Sequence, residues 1–203
     1  MTLSFVARSR ATPHCSPRMS EPATWVTDTS VYTHLSRAGH LDLLHEVAPG
    51  GVIVIPDDVN TEIQAGRDRH TGITDPVTTT WAQVTVLTND EVDTQLEVKA
   101  ALGGGPFQHL GECAVIACAQ HRGHVALLDD QAAIVQADAR AVSNHDTLWL
   151  VVEAYTTVFE FDRNHAIEVV DDLISTDMYL PISSGQSLFA WAYEAGYLPR
   201  NPR

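Results

Sequence analysis

Four consecutive β-branched residues, Val52-Ile53-Val54-Ile55, closed by Pro56, leave this chain few choices of fold. A run without polar alternation offers no face to water, so it suits a strand buried on both sides in a parallel sheet. Two helical stretches precede it, Val31 to about Ala38, ended by Gly39, and Leu41–Val47, stopped by Pro49-Gly50-Gly51. A third follows near Val59–Ala65, where Asp58 is placed to cap it and Gly66 to end it. Thr24–Thr27, Gln83–Leu87 and Val125–Leu128 also read as strands, and Asp90–Leu102, Leu110–His121 and Gln131–Ala141 as helices. Residues 67–80 are polar and loop-like. Gly103-Gly104-Gly105-Pro106 reads as a flexible break, because it lacks the lysine of a phosphate loop and does not follow a strand. From Thr147 to Tyr197 the chain reads as helical, apart from turns near Asp162 and Leu180–Ser184. Strand alternating with helix predicts an α/β fold, a mostly parallel sheet with helices on both faces.

Size and charge narrow the function. With 203 residues and 44% hydrophobic side chains, the chain suits one ordinary domain with a real core. Twelve basic against 26 acidic residues give a net charge of -14, which argues against binding nucleic acid through an overall positive field. The same excess leaves room for a carboxylate cluster that holds a divalent cation. Cys15, Cys113 and Cys118 are too few and too irregular for a disulfide framework or a zinc cage. Cys113 and Cys118 read as small buried thiols of a reducing cytoplasm. No apolar run reaches the roughly 18 residues of a membrane span. Residues 1–23 differ in composition, with Arg8, Arg10, Arg18, three prolines and one acid, Glu21. They read as a disordered tail without a signal-peptide core, and either Met1 or Met19 can serve as the start.

Ligands of open α/β sheets collect at the carboxyl ends of the strands. Asp28 directly follows the first strand, and Asp129 and Asp130 directly follow the Val125–Leu128 strand. Glu62 and Glu112 lie on helices that start near the same edge. Each acid taken alone reads as a helix cap or a partner of the helix dipole. Taken together they repel one another unless a cation neutralises them. Carboxylate oxygens select hard ions, Mg²⁺ or Mn²⁺, and such an ion serves in-line attack on a phosphodiester.

Four segments carry a resemblance to a known family. Val26-Thr27-Asp28-Thr29-Ser30 resembles the opening Asp-x-Ser/Thr motif of PIN-domain ribonucleases. Val54-Ile55-Pro56 with Val59-Asn60-Thr61-Glu62 is similar to the segment that carries the family's second acid. Leu110-Gly111-Glu112-Cys113-Ala114-Val115-Ile116-Ala117 resembles the Gly-Glu-x-x-Ala-Ile-x-x-Ala motif of one branch. Leu127-Leu128-Asp129-Asp130-Gln131-Ala132-Ala133 resembles that branch's Leu-hydrophobic-Asp-Asp-x-x-Ala segment. The resemblance implies a PIN-like, Rossmann-like domain over about residues 24–160 and a helical C-terminal extension over 161–203. It implies a Mg²⁺- or Mn²⁺-dependent endoribonuclease, and many members are toxins held silent by a small antitoxin. Carried over, Asp28, Glu62, Glu112 and Asp130 form the metal-binding quartet, Ser30 steadies Asp28, and Asp129 orients Asp130 or caps the next helix. The chain departs from the branch at Ile134, where arginine is usual, and at Asp146-Thr147, where Gly-Thr is usual.

Other features read more plainly. Arg67 and Arg69, after the Glu62 helix, are the choice for RNA phosphate contacts. Glu160, Asp162, Glu168, Asp171, Asp172 and Asp177 read as a solvated helical face. His121 and His124 flank Gly123 at a helix end, and no Gly-x-Ser-x-Gly elbow supports a serine nucleophile. In the last helix Leu188, Trp191 and Ala195 fall on one face and Phe189, Tyr193 and Tyr197 on another, which admits core packing or a homodimer interface. A non-catalytic PIN-like module that binds protein or RNA, and a DNA-directed nuclease of the same fold, are the competing expectations.

Overall fold

A parallel five-stranded sheet carries the chain in the order β3-β2-β1-β4-β5. The strands are β1 (Trp25–Thr27), β2 (Ile53–Pro56), β3 (Ala82–Thr85), β4 (Val125–Leu127) and β5 (Asn144–His145). The computed structural model describes residues 23–199, so the expected tail, apart from Ala23, and the alternative start at Met19 lie outside the described residues. All four residues of β2 are buried between β1 and β3, as its unbroken apolar run requires.

Helices α1 (Thr29–Ala38), α2 (Leu43–Val47) and α3 (Asp57–Arg67) connect the strands on one side of β1. Helices α4 (Asn89–Leu102) and α5 (Leu110–Arg122) carry the chain back to β4, and α6 (Gln131–Ala139) leads to β5. Thr88 opens α4 with a reciprocal capping box to Glu91, and Gly39 closes α1 in the left-handed conformation. α5 is almost wholly buried from Cys113 to Ala119 and packs against α4, α3 and three strands. Burial raises the Cys113 and Cys118 thiols to about 12 and 11, so both stay protonated packing groups.

The C-terminal third adds α7 (Thr147–Thr157), α8 (Arg163–Ser175) and α9 (Leu188–Ala195). α8 packs on α1 and α7, and Phe189 of α9 sits edge-on to Tyr155 at 4.9 Å with Arg163 3.7 Å above its ring. Among the described residues, no helix is long and apolar enough to cross a membrane.

Three local expectations change. α3 begins at Asp57 directly behind Pro56, so Asp58 lies inside the first turn and accepts from Gln95 Nε2 at 2.8 Å instead of capping. β3 ends at Thr85 because Thr88 already starts the next helix, and Val86 is exposed. β5, two half-buried polar residues, gives no periodic signal, yet it pairs with β4. The acids expected on a solvated face, Glu160, Asp162, Glu168, Asp171, Asp172 and Asp177, are all exposed, and three also have partners: Asp162 caps α8, Asp171 accepts from Gly185 N at 2.6 Å, and Asp172 meets His40 at 2.8 Å.

Candidate active site

Strand order fixes where the site forms. The chain winds outward from β1 to β3, then returns to place β4 on the other side of β1, so the topological switch lies between β1 and β4. Register aligns Thr27 with Leu127, and Asp28 N donates to Leu127 O at 3.1 Å. The residues just past both strands, Asp28 and then Asp129 and Asp130, therefore meet at one edge of the sheet. They line a pocket of about 640 Å³ together with Glu112, Asp146 and Asp177.

Asp28 is 2% exposed. Its Oδ1 accepts from Val31 N at 2.7 Å, capping α1, and its Oδ2 accepts from Asp129 N at 3.4 Å. These amides hold it; Ser30 lines the pocket but does not supply the expected hydroxyl contact. Burial and the neighbouring Asp129 and Glu112 charges hold its carboxyl well above the ordinary range, against the two amide bonds. Asp129 accepts from Thr147 N and Thr147 Oγ1 at 2.9 and 2.8 Å. Burial, with a contribution from Asp146, outweighs those bonds and raises Asp129 to about 6. Asp130 caps α6 through Ala133 N at 2.8 Å. The helix-capping role expected of Asp129 thus belongs to Asp130, while Asp129 ties the end of β4 to the start of α7.

Glu112 projects into the pocket from the first turn of α5, with His109 Nδ1 3.6 Å away. Glu62, the remaining acid of the expected quartet, does not line this pocket: it comes from α3 and lines a neighbouring cavity. Thr29 Oγ1 donates to its Oε2 at 2.5 Å and Gly111 N to its Oε1 at 3.1 Å. Burial raises Glu62 above its ordinary value despite those donors, and Glu112 adds to the rise. A methyl at position 111 would lie 2.6 Å from Glu62 Oε2, so glycine before Glu112 is what lets the two acids approach.

Residues outside the sequence expectation complete the walls. Asp146 caps α7 through Trp149 N at 2.7 Å, and burial raises its carboxyl. The Asp-Thr pair at a helix start signalled the cap; its place in the pocket follows from β5, which the sequence did not announce. His34 of α1, Ile134 of α6 and Tyr179, 93% exposed, also line the pocket. Thr176 Oγ1 donates to Leu173 O at 2.7 Å, so His34 Nδ1–H is the donor in its 2.6 Å contact with Thr176 and the neutral ring keeps Nε2 as an acceptor. Burial and Arg37 lower the His34 pKa. Of the two expected phosphate contacts, Arg67 is engaged by Asp75 at 2.7 Å, whereas Arg69 lines the cavity beside Glu62.

Among the described residues, none of these pocket acids is ion-paired to arginine or lysine. As placed, no three His, Cys, Asp or Glu side chains among the described residues form a ready metal-holding group. The donor set still suits a hard divalent ion: it is all carboxylate, and burial together with the neighbouring acids raises the Asp28 pKa in a way a cation relieves. A family model described as a PIN domain matches residues 24–190. No curated protein and no solved structure gives a match.

Proposed function

This chain belongs to the PIN-domain family, and on that premise we propose that it is a Mg²⁺- or Mn²⁺-dependent endoribonuclease. PIN domains are generally nucleases. The observation that carries the reading is buried Asp28, held only by amides and facing Asp129 and Glu112 with no basic partner. The cap on α1 accounts for one of its oxygens, but burial beside two further acids opposes folding unless a cation relieves it.

Asp28, Glu112 and Asp130 offer their oxygens to a divalent ion from three elements, whereas Glu62, held by Thr29 and Gly111, lines the neighbouring cavity and would have to turn to join them. Asp129 fixes the end of β4 against Thr147 and so sets the direction of Asp130. When bound, the ion supplies charge neutralisation at the phosphodiester and lowers the pKa of an attacking water. His34, with Nε2 as an acceptor, is available to hold a hydroxyl or water proton at the pocket wall.

The competing reading, a binding module without catalysis, predicts that at least one of the four acids has been lost, and all four are present. The family resemblance also supports a further reading to be tested on its own, a toxin restrained by a small antitoxin in the cytoplasm. The test is cleavage of single-stranded RNA and, in parallel, DNA with Mn²⁺ or Mg²⁺. RNA cutting that chelation and Asp28→Asn both abolish supports the proposal. Metal-independent cutting, or none with any metal, contradicts it. Growth arrest on expression that Asp130→Ala removes tests the toxin role separately.

A further inference from the structure

Next to the acidic pocket lies a second cavity of about 400 Å³, and the charges of the two differ sharply. Six carboxylates line the first. Glu62, occupied by Thr29 and Gly111, is the sole carboxylate lining the second, against Arg37, Arg69 and His70. The chain carries 26 acidic against 12 basic residues. Arg67 and Arg122 are in fact ion-paired, to Asp75 and Glu91. Among the described residues, neither Arg37 nor Arg69 has such a partner; Arg69 donates only to the Ala65 carbonyl, at 3.1 Å. The cavity is also open to a polymer, since Phe107 on its wall is 86% exposed. His34 lines both cavities, so they adjoin.

We propose that Arg37, Arg69 and His70 form a subsite for a backbone phosphate of single-stranded RNA, next to the phosphate positioned at the acidic pocket. The inference rests on the ribonuclease reading above. Its physical content is separation of labour along the strand. An acidic pocket neutralised by a cation has no surplus of positive charge with which to grip a polyanion, so affinity has to come from beside it. The exposed Phe107 ring offers a face to the base of the same nucleotide.

The test measures binding of a labelled single-stranded RNA decamer by fluorescence anisotropy across a range of KCl at constant magnesium. In the salt series the full chain carries Asp28→Asn, so the RNA is not consumed; cleavage is read on the chain without that change. Arg37→Gln combined with Arg69→Gln is expected to flatten the plot of log affinity against log salt by about 0.7, the value for one single-strand phosphate contact. Arg69→Gln alone is expected to flatten it in the same direction by a smaller amount, and because Arg69 is exposed this variant does not depend on the fold tolerating a buried change. Arg163→Gln, on α8, is expected to leave the slope as it was. If both arginine variants keep the original slope while the unsubstituted chain cuts RNA, the subsite is overturned and the nuclease reading stands. If the unsubstituted chain neither binds nor cuts RNA, the underlying reading fails and takes the subsite with it.

Discussion

Asp28, at the end of β1, and Glu91, in the first turn of α4, are 2% and 1% exposed, yet their neighbours carry opposite signs. Glu91 receives Arg122 through Nε at 2.6 Å and a second guanidinium nitrogen at 2.9 Å, and it also accepts from Thr88 N at 2.7 Å. The Arg122 contact holds its carboxyl down at about 2. Asp28 has two amides and two nearby acids, and its carboxyl is pushed up. Equal burial therefore has opposite consequences. Around Glu91 the fold has satisfied a charge; around Asp28 it leaves a buried carboxyl, held by amides, beside two acids and without a basic partner. Strain of this kind is expected where a ligand relieves it.

Breaking each side of the comparison produces the largest effects. Asp28→Asn is expected to reduce RNA cleavage to the assay background while raising the urea midpoint at neutral pH without metal, because a neutral amide no longer repels Asp129. Arg122→Ala is expected to do the reverse. It leaves Glu91 buried and unpaired, so stability falls by about 3 kcal/mol in urea denaturation, with cleavage by the folded fraction retained.

The pH dependence sharpens the same contrast. Glu91 titrates near 2 when folded, below its ordinary 4.5, so its contribution is present above pH 4.5 and is lost as pH falls towards 2. Asp129 titrates near 6 when folded, above its ordinary 3.8, so its contribution is most favourable below pH 3.8 and is lost as pH rises through 6. Metal-free protein is therefore expected to gain stability as pH falls from 7 towards 5, then lose it below 4.5. Asp129→Asn should flatten the first limb and Glu91→Gln the second.

A smaller effect is expected from Gly111→Ala. The added methyl meets the far end of the Glu62 side chain, which can swing aside, so the melting temperature should change little. Cleavage should nevertheless fall by about tenfold, as for loss of a positioning contact around a metal site. Equal losses in both measurements would show that Gly111 serves packing alone.

Strongly periodic and strongly punctuated segments were legible in the sequence. β2 follows from four β-branched residues and a proline, and the end of α1 from Gly39. Asp28 and the Asp129-Asp130 pair were identifiable because their place, just after a strand, depends only on chain order. What the sequence does not specify is which atom of a side chain is engaged. Asp129 and Asp130 are adjacent and chemically identical, and only the path of α7 turns Asp129 to Thr147 and leaves Asp130 as the cap. Glu62 has the helix position expected of a ligand, but contacts from Thr29 and Gly111 turn it towards the second cavity. Asp146, His34 and Tyr179 reach the pocket through β5, the middle of α1 and the turn after α8, where no local pattern signals a site.

On the proposed reading, crowded acids at the β1–β4 edge await a divalent ion. Thermal unfolding at neutral pH with increasing Mn²⁺ tests this most directly, in the wild-type chain and in Asp28→Asn. The melting temperature of the wild type should climb with metal concentration, as for any ligand that binds only the folded state, and that of Asp28→Asn should stay nearly flat. A wild-type melting temperature indifferent to Mn²⁺, or an equal rise in both proteins, would contradict it.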